Sequence, residues 1–323
     1  MTYSSELAEI RFGCGLSPVL APPASPDAML AGLGAADDMA KRFPVGTTPQ
    51  LLARLVEVYA LRKRARKASS NASSKTDLVE QVKSLRRQSA QDGSLWYARS
   101  LLRWSYSENA LQERLAAFWA DHFTAVGKNA VLKFATAPYI DEAIRPHMTG
   151  RFADLLIATT THPLMLHFLD QNVSVGPDSP VANKGKRLKG LNENLAREVM
   201  ELHTLGVGGP YTQDDVRQLA ELFTGLSFDL KSGFSFRAGK AEPGAETVIG
   251  HSYGGDKPAL EPVLDALRDL AVHPATARHI ARKLAVHFVS DTPDPGLVDH
   301  LTGRFSDTGG DLMAVYAALL EHP

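Results

Sequence analysis

Apolar residues recur at three- and four-residue spacing along most of this 323-residue chain, a period that fits helices and not strands. LLARLVEVYALRKRAR, from Leu51, carries it, as do 77–103, 138–148, 151–170 and 258–321. In ALQERLAAFWADHFTA, Leu115, Phe118, Trp119 and His122 fall at i, i+3, i+4 and i+7, so the imidazole shares a buried helix stripe. One β signal interrupts the pattern. GFSFRAGKAEPGAETVIG holds two β-prone runs, near 234–237 and 246–249, around Pro243-Gly244, which predicts one small hairpin in an insertion at 228–256. His273-Pro274 and Thr292-Pro293 put proline where a first helical turn accepts it. The expected fold is mainly α, a multi-helix globular array in a single domain over 1–323.

Two stretches escape the helical period. Arg62 to Lys67 and the following ASSNASSK read as a fraying helix end and a mobile basic loop over about 62–76. VGPDSPVANKGKRLKG reads as a long loop over about 173–190, the kind that serves as a lid or binding segment. A formal net charge of -1 gives no reason to expect nucleic acid or an anionic membrane, and the basic cluster has no aromatic residues for base stacking. No run of 18 apolar residues spans a bilayer. MTYSSELAEIRFGCGLSP lacks the basic start and apolar run of an export signal, so a cytoplasmic location is expected, with the periplasm as alternative. Cys14, the single cysteine, cannot form an internal disulfide and reads as a packing residue between two glycines. The closing VYAALLEHP leaves an amphipathic helix in need of a partner, so the chain is expected to be cut short at its C-terminus.

The block NENLAREVMELHTLGVGGPYTQDDVRQLAELFTG, residues 192–225, crowds acids, amides, an arginine and a histidine into one helical pattern. At 100° per residue, Leu191, Leu195, Val199 and Leu202 form the core face. Asn194, Glu198 and Glu201 run down one flank; Asn192, Ala196 and His203 lie on the other; Glu193 and Arg197 point outward. Glu198 borders the apolar stripe, and a carboxylate there needs an arginine, an imidazole or a metal ion as partner. Nearby Glu201 raises its pKa, as suits a general acid or a divalent-metal site. The structural alternative pairs Arg197 with Glu201 at i, i+4 while Glu198 anchors a loop. On a regular helix His203 falls on the wrong flank to share a ligand with Glu201. Downstream, His279, Lys283 and His287 share one stripe, which suits an anion or a basic face that neutralises the acidic helix.

Taken in order, IRFGCGLSP, ERLAAFWADHFT, HPLMLHFLDQNVS, the 192–225 block and ARKLAVHFVSDTP resemble the bacterial family catalogued as domain of unknown function 1800. The resemblance covers nearly the whole chain and implies a mostly helical protein. It brings no reaction, substrate or cofactor. It implies a genomic companion, a sulfatase-like protein (domain of unknown function 1501), and it carries over to Trp119, His122, Asp170, Asn172, Asn192, Glu193, Asn194, Arg197, Glu198, Glu201, His203 and His287. Similar proteins often have a histidine before Glu-Pro-Gly, where this chain has Ala241.

The expected function is a hydrolase or lyase on a polar or carbohydrate-like substrate. Glu198 or Glu201 serves as general acid or base, with His122 or His203 as partner. Asp170, Asn172, Asn192, Asn194, Arg197 and His287 bind substrate, and the cofactor is left open with a divalent metal as candidate. The alternative is a non-catalytic binding or maturation partner of the sulfatase-like neighbour.

Overall fold

The computed structural model describes residues 3–68, 72–184 and 190–322. Helix signals in the chain set the order of its elements. Short helices α1 (Ser5–Phe12), α2 (Pro26–Leu33) and α3 (Asp38–Arg42) lead to the long pair α4 (Thr48–Lys67) and α5 (Ala72–Tyr106), which pack on each other. Thr47 opens α4 with a capping box: its side chain accepts from Gln50, whose own side chain accepts from the Thr47 backbone. The basic run Arg62 to Lys67 belongs to the end of α4 and is not part of a loop. Arginine and lysine are good helix formers, and buried Leu61 anchors the turn before them. Residues 69–71, the centre of the expected loop, lie outside the described ones.

The next helices are α6 (Ala110–His122), α7 (Thr136–Tyr139), α8 (Phe152–Thr161), α9 (Pro163–Phe168), α10 (Asn194–Glu198) and α11 (Gln213–Leu222). Two of them run on into wide π turns, α7 at Ile140–Ile144 and α10 at Val199–His203. The C-terminal third is α12 (Glu261–Val272), α13 (Pro274–Phe288), α14 (Pro295–Asp307) and α15 (Leu312–Glu321). The His-Pro pairs do double duty. His162 and His273 each accept the N–H two residues on while the following proline takes the first helical position. At α14 the arrangement is displaced from the one expected: Asp294 is the cap and Pro295, not Pro293, opens the helix.

The single hairpin expected from the sequence is two hairpins. β1 (Leu226–Asp229) pairs antiparallel with β2 (Gly233–Phe236), and β3 (Gly244–Val248) with β4 (His251–Gly255). Each β-prone run closes on its nearest neighbour in sequence, which orders the shortest loop. The β3–β4 turn is two residues, Ile249 and Gly250, both at positive φ, as a tight primed turn demands. Asp215 at the start of α11 accepts the Ile249 N–H and holds this β-branched residue in place. The described part of the 173–190 stretch is tied to the segment between the hairpins: Gly176 and Val181 donate to Lys240 and Gly239 carbonyls, and Asp178 N–H bonds Glu242.

α6 runs through the core. Trp119 stacks on Phe123 and meets Phe152, which meets Phe305 of α14. Trp119 Nε1 donates to the Tyr316 hydroxyl at 2.7 Å, and that hydroxyl donates to the Met148 carbonyl. The apolar face of α15, for which the sequence sought a partner, is covered by α14 and α2.

Candidate functional site

The second π turn decides the geometry of the 192–203 segment. A π turn holds one more residue than an α turn, so whatever follows rotates by roughly 100° around the axis. Leu195 and Val199, before the widening takes effect, face the core as the wheel predicts. Leu202 does not: it is 44% exposed, while Met200 and His203 are turned inward. The Leu205 N–H reaches back five residues to the Met200 carbonyl, and the buried Thr204 hydroxyl donates to the Val199 carbonyl. His203, assigned to a flank on a regular helix, is thus a core residue against Phe123 and His122.

Three imidazoles meet there. His122 of α6 lies 6.0 Å from His203 and 6.1 Å from His279 of α13, centroid to centroid. His122 Nε2 contacts the His203 carbonyl at 3.1 Å, and His279 Nε2 contacts the Leu202 carbonyl at 3.1 Å. A carbonyl only accepts, so both rings carry their proton on Nε2. Nδ1 of His122 and Nδ1 of His203 are buried with no hydrogen-bond partner among the described residues. Burial holds His122 well below the usual imidazole range, helped by the nearby charges of Lys283, His203 and His279. Burial, then Lys283 and His279, push His203 down to about 3. All three rings are therefore neutral bases near pH 7, since burial lowers His279 as well.

Lys283 stands one turn beyond His279 on α13. It is half-buried, and burial depresses its ammonium with Asp121 offsetting in part. It makes no hydrogen bond or ion pair among the described residues. His287, a further turn on, is exposed and accepts from Arg114 Nε at 3.2 Å.

Several of the other candidate residues have structural attachments. Arg197 bridges Glu193 and Glu201, each at 3.1 Å, and also bonds Gln213; this is the structural pairing weighed against a catalytic Glu201. Glu198 is half-buried, and burial followed by the charge of Glu201 raises its carboxyl. It makes no hydrogen bond or ion pair among the described residues, so no imidazole or amide is its partner. Asn192 is an N-terminal clasp: Nδ2 donates to Leu169, Oδ1 accepts from Asn194 N–H, and its own N–H bonds Ser174. Asn194 is exposed. Asp170 sits at φ +57 and pairs with Lys128 at 2.9 Å. The Asn172 carbonyl receives Lys240. The structure thus joins His122 to His203, with His287 at the edge of that face, and places Asp170 against Lys128, the Asn172 carbonyl against Lys240 and Asn192 in its clasp. Among the described residues no three His, Cys, Asp or Glu converge closely enough to hold a metal.

One ionisable pair escaped notice in the sequence. Glu246 of β3 is pushed up to about 7 by burial, by the charge of Glu221 on α11, and by their mutual hydrogen bond. The strand period carried the signal, because Glu246 alternates with buried Val248 on the inward face. Ala241 is buried and lines the same small cleft as Glu246.

These features define a mainly helical protein with a buried neutral-imidazole cluster beside an unpaired lysine. The chain belongs to the family described as Protein of unknown function (DUF1800), which matches residues 28–323. No curated protein and no solved structure matches it.

Proposed function

We propose that the α6–α13 face is an acid–base centre and that the chain is a hydrolase or lyase on a polar, carbohydrate-like substrate that carries or develops negative charge. One observation carries this reading: Lys283 is half withdrawn from water, has no carboxylate bonded to it, and is surrounded by imidazoles kept neutral. A half-desolvated ammonium with only the unbonded charge of Asp121 to offset it is costly in isolation and favourable once an anion arrives. In this reading Lys283 holds the anion and the free Nδ1 of His279 takes a proton, with His122 and His203 behind it. Glu201 is committed to Arg197, so Glu198 is the available carboxyl acid; it stands one turn before Leu202, whose carbonyl receives His279.

The test is turnover of polar glycosides and polysaccharides by the purified chain, Lys283→Gln and His279→Gln, with each variant's fold checked by circular dichroism. Loss of activity in folded Lys283→Gln supports the reading. Absence of activity in the unmodified chain, or full activity in both variants, sinks it.

The Arg197 network favours a second reading, in which the polar block fixes helix packing and the chain is a non-catalytic binding or maturation partner of a sulfatase-like protein (domain of unknown function 1501). Stoichiometric co-purification of the two would support it, and failure to associate would remove it.

A further inference from the structure

A cleft of about 920 Å³ opens between the loop after α1, the C-terminal end of α5 and the first residue of α6, and none of its lining residues takes part in the acid–base reading. We propose that this cleft binds an organic cation, an ammonium or guanidinium group carried on an apolar body. Its volume lies in the range of small-molecule sites, roughly 300–1,000 Å³. Four large apolar side chains stand exposed among the serines and acids of its walls: Leu16, Val19, Leu101 and Trp104 are 57%, 77%, 47% and 46% exposed. Such side chains in one concavity mark a place where something apolar is meant to rest.

The charge lining the cleft has one sign. Glu9 and Glu108 line it, and no lysine, arginine or histidine does. Glu9 accepts only the Cys14 N–H at 3.2 Å, and neither acid has a cationic partner among the described residues. Burial raises the Glu9 carboxyl, and burial with the charges of Glu113 and Glu9 pushes the Cys14 thiol up to about 11 against the opposing charge of Arg114. A cation in the cleft shares it with the Trp104 ring, whose quadrupole attracts it, and with two carboxylates. An anion gains nothing there, and a neutral apolar molecule leaves both acids uncompensated.

The experiment uses three probes of one chain length: hexyltrimethylammonium, 1-hexanol and hexanesulfonate, each titrated into the full chain. Tryptophan emission reports the site because Trp96 and Trp119 are buried, at 7% and 0% exposure. The expected result is saturable binding of the ammonium about tenfold tighter than hexanol, and no response to the sulfonate. Glu9→Gln and Glu108→Gln each weaken the ammonium by about threefold or more, and Trp104→Phe abolishes the signal. Bound ammonium also slows alkylation of Cys14. Equal affinity for ammonium and hexanol overturns the proposal in favour of a plain apolar groove, and indifference to both glutamine variants overturns it by placing the cation elsewhere. Should Glu9→Gln fail to fold, Glu108→Gln on the exposed rim decides alone.

Discussion

His203 occupies a position that a phenyl ring would fill at less cost. Its Nδ1 is buried without a partner among the described residues, and its ring lies 4.9 Å from Phe123. An unsatisfied buried nitrogen costs about 1–3 kcal/mol, so His203→Phe is expected to stabilise the fold by about 1 kcal/mol in urea denaturation at pH 7. The backbone carbonyl that receives His122 is kept. The same variant has a pH signature. Folded His203 resists protonation down to about 3, whereas in the unfolded chain it titrates near 6.5. As pH falls from 6.5 toward 3, the unfolded state takes up a proton that the folded state refuses, and stability drains away, by about 1.4 kcal/mol per unit at most. His203→Phe removes its share of that slope, leaving same-direction contributions from His122, His279 and the other histidines that burial lowers. A variant less stable than its parent at pH 7 would show that the imidazole is satisfied. At this scale His122 was legible from its stripe alone, because α6 is a regular helix. His203 was not, because the wheel assumed an unbroken period.

The π turn is where an element departs from its own sequence pattern. Nothing in VMELH announces the extra residue, which arises from how Met200, His203 and Leu205 pack together. The two hairpins show the converse: both β-prone runs were visible, and only their partners were misjudged, because Leu226–Asp229 is flanked by the helical block and reads as its tail. Arg197 holds the first part of the polar segment, joining Glu193 and Glu201 on its own helix to Gln213 at the start of α11. These groups are substantially exposed, so solvent screening leaves only about 0.5–1 kcal/mol for the network. Arg197→Met keeps the aliphatic stem and should lose that amount at low ionic strength. At about 1 M salt the Debye length is about 3 Å, and the difference between the variant and its parent should largely vanish. A deficit unchanged by salt would mean that the guanidinium acts through packing or its bond to Gln213.

At the scale of the whole molecule the sequence shows a helical array but not which helix touches which. Helical periods define faces, and faces find each other only through side-chain shape. The joint between α6 and α15 depends on two residues 197 apart: Trp119 Nε1 donates to the Tyr316 hydroxyl, which in turn donates a hydrogen bond to the Met148 carbonyl, 168 residues away. Both aromatic side chains are fully buried, so no water takes the hydroxyl's place. Tyr316→Phe leaves one donor and one acceptor stranded, at an expected cost of about 2–4 kcal/mol. For a chain of this length that lowers the melting temperature by roughly 3–6 °C. Tyr139 supplies the control. It is equally buried, but its hydroxyl donates only to the Phe123 carbonyl, 16 residues away, so Tyr139→Phe strands a single acceptor. The two melts should therefore differ by about 1–2 kcal/mol, with Tyr316→Phe the weaker and with Trp119 emission altered only in that variant. Equal melts would mean that the Trp119–Tyr316 bond contributes nothing beyond the carbonyl contact, and that the apolar faces of α14, α15 and α2 alone hold the C-terminal helix in place.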